Sequence, residues 1–474
     1  MSLQLKLSEI ARVVHGRHHG ADVVIGQVST DTRALRPGDL FIALEGEHFD
    51  GHDFIDAARS SAAAAAMVSR DVTTDLPLVQ VDDTRRGLAR LAGDWRGRFS
   101  IPLVGVTGSN GKTTVKEMIA AILNRRGATL ATEGNKNNDI GMPLMLLRLT
   151  PAHAYAVIEM GANHAGEIAA LSALAQPGVA VITNAGPAHL KGFGSLEGVA
   201  RAKGELIAGL AAGGTAVINA DDTYYPLWRE LAGKRRCVSF GIDADADVSA
   251  IHIQHGADGA AFELHTPEGM RPVALRLPGV HNVRNALAAA AAAMAAGADV
   301  DDAKHGLEAM APVRGRLCVQ PGIHGIRLID DTYNANPASL QAALQTLADA
   351  HGDRIVVLGD MYELGDEAAA LHEQAGRWIK EAGVKRLFTL GEQSRHAARA
   401  FGDGGESFPD RGALIAALKN TLAEATGPAT VLVKGSRGMA MEAVVQGLKA
   451  GAGGGNGAGS AGVKRASFVE EAQG

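Results

Sequence analysis

Three observations predict an α/β protein built of three units. Short apolar runs of strand character alternate with helical stretches along most of the 474 residues. The alternation restarts twice, at Ser100-Ile101-Pro102 and after Ala311-Pro312. Just past the first restart, a glycine-rich segment joins an apolar run directly to a helical pattern, the junction at which an open parallel sheet presents a ligand site. The expected units are 1–99, 100–312 and 313–450, followed by a tail over 451–474.

In the first unit, Leu40–Leu44 and Leu78–Val81 read as strands, and His52–Ala65 and Asp83–Trp95 as helices, giving a small α/β domain. In the second, Leu103–Val106, Ala154–Ile158, Val179–Thr183 and Thr215–Asn219 read as strands separated by helices, which argues for a parallel, doubly wound sheet. The third repeats the alternation at Ile326–Ile329, Ile355–Leu358, Arg386–Leu390 and Thr430–Val433. This is a Rossmann-like arrangement, although no GxGxxG follows its first strand. The tail, rich in glycine, has too little apolar area to offset its ordering entropy and is expected to be flexible and functionally silent.

Composition removes several classes of function. Hydrophobic residues make up 46% and charged residues 21%, a globular balance. The net charge of -6 provides no positive field for nucleic acid or an anionic membrane, so any anion must be gripped locally. Cys237 and Cys318 stand far apart, suggesting neither a disulfide framework nor a zinc site, and a reducing cytoplasm fits best. No apolar run reaches 18 residues; the alanine-rich Asn285–Ala296 forms a helix too short to span a bilayer. The chain is expected to be a monomer.

The strongest motif is GVTGSNGKTT at 105–114. Behind it Val115, Met118, Ile119, Ile122 and Leu123 recur at helical spacing. Glycines let the backbone wrap a triphosphate, the helix start aims free N–H groups at it, and Lys112 adds a charge near the β and γ phosphates. Thr107, Gly108, Ser109, Asn110, Gly111, Lys112, Thr113 and Thr114 form this loop, with Thr113 expected to hold magnesium. Strict P-loop spacing would put glycine at 106, where Val106 stands, so the pattern is the variant GxxGxxGKTT. The middle unit therefore reads as a P-loop ATPase-like domain.

Further candidates lie where strands end. Glu159 closes an apolar run and His189 follows the next, both positions that face a crevice in an open sheet. By pattern alone Glu159 also reads as a salt-bridged carboxylate, while a loop histidine such as His189 is more often solvated and a helix lysine such as Lys203 more often an ordinary exposed cation.

Together with NKNNDIGMP at 135–143, IEMGANHAGEI at 158–168, TNAGPAHLKGFG at 183–194, RAKGEL at 201–206 and GVHNVRNALAA at 279–289, these motifs resemble the Mur ligase family, from about Ser29 to Glu442. The resemblance implies three-domain enzymes that use ATP and Mg2+ to join amino acids or dipeptides to UDP-linked muramoyl intermediates. By it, Thr113 and Glu159 would hold one magnesium and His189 and a carbamylated Lys203 a second. Asn285 would meet adenine, Arg316 would reach the γ-phosphate from the third unit and Asp331 would bind ribose. On residue pattern alone, Asn285 caps a helix, Arg316 stacks in a hinge and Asp331 caps a turn. Ser29, Asp31 and Arg33 would contact the UDP substrate, although a polar turn between strands gives the same pattern. DDTYNANPAS at 330–339, LGDMYELG at 358–365 and VKGSRGMAMEAVV at 433–445 are most similar to the branch that adds D-alanyl-D-alanine to UDP-N-acetylmuramoyl-tripeptide. The alternatives are a folylpolyglutamate synthase-like ligase and a non-ligating P-loop nucleotide regulator.

Overall fold

The structure is a computed structural model and describes residues 3–450 apart from 47–48, 188–189, 257 and 426, with backbone alone at 190–191. The tail from 451 and His189 therefore lie outside the described residues. Among those residues the strands form three large sheets and one two-stranded ribbon.

The first unit carries a five-stranded sheet whose order, by first residues, is Arg17, Leu78, Ala65, Leu40, Val28. Helix Thr84–Gly97 starts where expected, capped by Asp83 accepting from the Arg86 N–H. The helix expected over 52–65 is instead a 3-10 turn, Gly51–Phe54, and a short helix, Ile55–Ser60. Ala62 turns the chain in a left-handed conformation (φ 61), and the alanines beyond it enter a fully buried central strand, Ala65–Val68. Local propensity favoured helix there; burial between two strands prevailed.

In the middle unit nine strands run, by first residues, Gly269, Gly259, Val248, Arg236, Thr215, Val179, Leu103, Tyr155, Thr129. Leu103–Thr107 is flanked by parallel partners on both sides and is buried throughout. The sheet is not parallel to its edge, as had been expected: Val248–Gly256, Gly259–Thr266 and Gly269–Leu275 form an antiparallel extension. Their connections are too short for the crossover a parallel pair needs. The alanine-rich helix begins earlier than its composition suggested, spanning Val280–Ala295. It packs with the P-loop helix, Lys112–Leu123, on one sheet face.

The third unit orders its six strands Cys318, Arg327, Ala429, Asp353, Arg386, Gly405, all parallel but the first. One continuous apolar core joins the first unit to the middle one, running from Leu7 through Leu91 and Trp95 to Trp228. Trp95 donates to the Leu149 carbonyl at 3.1 Å and Arg96 to the Ala175 carbonyl at 2.9 Å, fixing that joint. The third unit has cores of its own on both faces of its sheet.

Behind the P-loop helix lies helix Val300–Ala309, and Gly306 marks the close approach: a Cβ there would stand 2.5 Å from the Ile122 Cα. Alanine is better than glycine in a helix by about 1 kcal/mol, but the clash is with backbone and overpacking costs about 1–3 kcal/mol. We therefore expect Gly306→Ala to lower the melting temperature. A thermal scan showing a rise would mean that the two helices part without cost.

Candidate active site

The P-loop leaves the middle of the central sheet and turns at two glycines. Gly108 has φ 145 and a Cβ on it would fall 1.9 Å from the Thr183 hydroxyl; Gly111 has φ 82 and a Cβ would meet Asn285 Oδ1 at 2.5 Å. Only glycine suits both the backbone angle and the space. The loop is braced by the chain after the neighbouring strand: Ser109 N–H donates to the Asn184 carbonyl at 3.0 Å, and Thr183 Oγ1 to the Asn110 carbonyl at 2.6 Å. No side chain caps the start of the P-loop helix, so its first N–H groups remain open to an anion. Lys112 folds back onto the Gly108 carbonyl at 2.7 Å. Desolvation holds its ammonium below the ordinary value, opposed by Glu159 and reinforced by Arg316. The Thr107 hydroxyl is buried within the sheet, donating to the Met160 carbonyl at 2.8 Å.

Thr113 and Glu159 do come together. The buried Thr113 hydroxyl donates to Glu159 Oε2 at 3.0 Å, while Asn137 Nδ2 donates to the other carboxylate oxygen at 2.8 Å. From the third unit, Arg316 Nη2 donates to Thr113 Oγ1 at 3.3 Å, and its Nε is buried without a partner. A second polar link crosses the same gap, Asn336 Nδ2 to Asn110 Oδ1 at 3.0 Å. The end of one strand, the start of the P-loop helix and a turn from the third unit thus meet at one oxygen.

Lys203 corrects the reading from pattern alone. It is not an exposed helix cation but is 2% exposed, on helix Leu196–Ala208, with its Nζ 5.2 Å from the centre of the Phe193 ring. Burial and then the charge of Lys112 bring its pKa from 10.5 down to about 7, against the pull of Glu167 and Glu205. Lowering the pKa enlarges the neutral fraction of the amine, the form that reacts as a nucleophile.

Asn285 is inside its helix and does not cap it; Gly279 holds that position. Asp331 ends the strand Arg327–Asp331 and is paired with the buried Lys434 at 2.5 Å, with the Leu317 N–H on its other oxygen at 3.3 Å. His281 lies in this pair's field, its pKa pushed to about 4 by burial against the pull of Asp331. Ser29, Asp31 and Arg33 share one polar turn of the first unit. Arg33 donates to both Asp31 oxygens at 2.9 and 2.8 Å, and Ser29 Oγ to the Asp31 carbonyl at 3.0 Å, a network closed on itself.

With this geometry in place, comparison with known proteins is decisive. Residues 106–293 match the Mur ligase middle domain, 315–437 the Mur ligase, glutamate ligase domain, and 24–96 the Mur ligase family, catalytic domain. The UDP-N-acetylmuramoyl-tripeptide--D-alanyl-D-alanine ligase of Escherichia coli (strain K12) is 48% identical over 448 residues, 94% of this chain and 99% of that protein. The chain belongs to the Mur ligase family. Among solved structures, MurF from Acinetobacter baumannii superposes with a TM-score of 0.88 at 37% identity, covering 92% of this chain and 97% of that one. MurF ligase from Thermotoga maritima in complex with ADP gives a TM-score of 0.79 at 28% identity, over 89% and 96%. This Mur ligase is therefore an ATP-dependent ligase of three-domain α/β architecture, which sets aside the non-ligating regulator.

Four residues at the centre of the site escaped sequence reasoning: Asn137, Tyr333, Asn336 and Lys434. Each lies inside one of the motifs at 135–143, 330–339 and 433–445, but none has a side chain whose chemistry alone announces a role. Lys434 gives a test. Replacing it with Met leaves the Asp331 carboxylate buried and unpaired, a loss of about 3–5 kcal/mol. Lys434→Met should therefore unfold at clearly lower denaturant, and adding Asp331→Leu should restore much of the loss. Equal stability of Lys434→Met and the parent protein would show that the pair is solvated.

Proposed function

We propose that this Mur ligase adds D-alanyl-D-alanine to UDP-N-acetylmuramoyl-tripeptide, consuming ATP through an acyl-phosphate. The convergence of Thr113, Glu159 and Arg316 carries the reading, because it puts a P-loop hydroxyl, a strand-end carboxylate and a guanidinium from another unit at one point. The likeness to the Escherichia coli ligase supports the choice of substrates. The orphaned Arg316 Nε offers a donor to an anion, as a triphosphate terminus would require.

The donor set suits magnesium. Thr113 and Glu159 offer hard oxygens, and among the described residues no group of three His, Cys, Asp or Glu forms a closed metal cage. That matches an ion which completes its shell with phosphate and water. His189 and a carbamylated Lys203 would hold a second ion. When bound, the ions neutralise phosphate charge. Lys112 and Arg316 would do the same from the protein, allowing the tripeptide carboxylate to approach the γ-phosphate in line. Carboxylate oxygen bonds to phosphorus, the bridging oxygen leaves with ADP, and the acyl-phosphate remains. The dipeptide amine then attacks the acyl carbon and expels phosphate.

Ser29, Asp31 and Arg33 would meet the UDP portion, Asn285 the adenine and Asp331 the ribose, with Lys434 orienting Asp331. The functional units would be 1–99, 100–312 and 313–450, with closure about 311–315 bringing Arg316 to the P-loop. Among the described residues no helix is long and apolar enough to cross a membrane. A cytoplasmic monomer is the working arrangement.

Phosphate release should need ATP and the UDP-linked tripeptide, and should turn over only when D-alanyl-D-alanine is added. Lys112→Ala, folded by circular dichroism, should lose about 100- to 1,000-fold in turnover, the scale of one charge-stabilising donor. Near-normal activity in it would remove the nucleotide site from this loop.

Lys203→Ala should be equally crippled, and short carboxylic acids should restore part of its activity if a carbamate supplies the missing oxygens. An active Lys203→Ala enzyme would refute the carbamate, as would an inactive one that no small carboxylate rescues at saturating magnesium.

A further inference from the structure

Arg316 is held in an unusual way for a side chain on which the proposed chemistry depends. Its hydrogen bond to Thr113 is long at 3.3 Å, and its Nε has no partner. What lies against it is a ring: the guanidinium carbon stands 3.9 Å from the centre of Tyr333. The ring's own position is fixed from the backbone. Tyr333 N–H donates to the Gly315 carbonyl at 3.1 Å, and Gly315, in a left-handed turn with φ 74, packs so closely that a Cβ on it would lie 3.3 Å from Tyr333 Cβ. Gly315 and Arg316 are adjacent, so one turn is clasped at its backbone by residue 333 and stacked at its side chain by the same residue. Three positions on, Asn336 reaches Asn110 of the P-loop at 3.0 Å, which ties this strand-end segment to the loop that Arg316 faces.

We propose that Tyr333 is a positioning residue: its ring face sets the reach of the Arg316 guanidinium opposite Thr113, so the site requires an aromatic ring at 333. A cation over a ring face is attracted by the ring quadrupole, and a planar guanidinium suits such a contact. The inference rests on the reading that Arg316 acts on the transferred phosphate. It adds what holds Arg316 there.

The test compares Tyr333→Phe, Tyr333→Leu and Tyr333→Gln, each also made with Arg316→Ala, by steady-state kinetics and thermal unfolding. Two non-aromatic variants are included so that a folding failure in one leaves the other. Leu or Gln should lower kcat about 10- to 100-fold, the cost of an angstrom-scale misplacement, with KM for the UDP-linked substrate unchanged. Phe should recover at least half of kcat. In the Arg316→Ala background, the change at 333 should add less than about twofold, because both changes remove one interaction. The inference falls if Leu and Gln keep full kcat, if Phe is as impaired as Leu, or if the losses multiply with that of Arg316→Ala. Should Arg316→Ala itself keep full turnover, the reading of Arg316 falls and this inference with it. An inactive Arg316→Ala beside an active Tyr333→Leu overturns the inference alone.

Discussion

The Thr113 hydroxyl donates to Glu159 and accepts from Arg316, so a single buried oxygen joins the end of one strand, the start of one helix and a turn from another unit. Everything around it serves to bring those three together. The strand Leu103–Thr107 must sit inside the sheet, with Tyr155–Glu159 beside it, for the P-loop helix to begin next to Glu159. Gly108 and Gly111 must lack side chains for the loop to pass under Thr183 and Asn285. Asn137 then fixes the second Glu159 oxygen, leaving the carboxylate little freedom to rotate.

The energetic division of the molecule follows the same logic. The first and middle units share an apolar core and are joined by Trp95 and Arg96, so they behave as one packed body. The third unit is cored separately, and the contacts described above between it and the P-loop are polar: Arg316 to Thr113 and Asn336 to Asn110. Polar contacts of this kind exchange readily for water, with a net worth of about 1 kcal/mol each, whereas separating the shared core would expose large apolar area. A site assembled from the second kind of junction would be permanent. One assembled from the first can open to admit a large substrate and close again.

Much of this was legible in the sequence, for a physical reason: parallel strands buried on both faces read as unbroken apolar runs. Thr215–Asn219 and Arg386–Leu390 match residue for residue, and the P-loop helix was marked by its own periodicity. The antiparallel extension at 248–275 is not legible in the sequence, because the half-exposed strand Val248–Gly256 carries His252, Gln254 and His255 where a core strand would carry valine. Ala65–Val68 misled in the opposite direction, since alanine favours helices wherever packing does not decide, and here packing decided. Burial is likewise invisible in a helix pattern. Lys203 looked like a surface cation because its neighbours Arg201 and Glu205 are polar, and only the fold turns it inward beside Phe193.

The carboxylates show why a motif gives residues but not their state. Glu159 and Asp331 both end strands, and sequence position alone treats them alike. In the structure Glu159 is met by a hydroxyl and an amide, neutral donors that leave its charge uncompensated by hydrogen-bonded cations. Asp331 is met by the ammonium of Lys434. A carboxylate whose partners are neutral retains its negative field and can attract a cation from solution, whereas one already paired presents mainly its geometry and remaining lone pairs. The distinction fits the roles proposed above, cation binding for Glu159 and hydroxyl recognition for Asp331. It arises from what each strand's neighbour carries: Thr113 follows the glycines of a loop, while Lys434 ends a strand registered directly against Asp331.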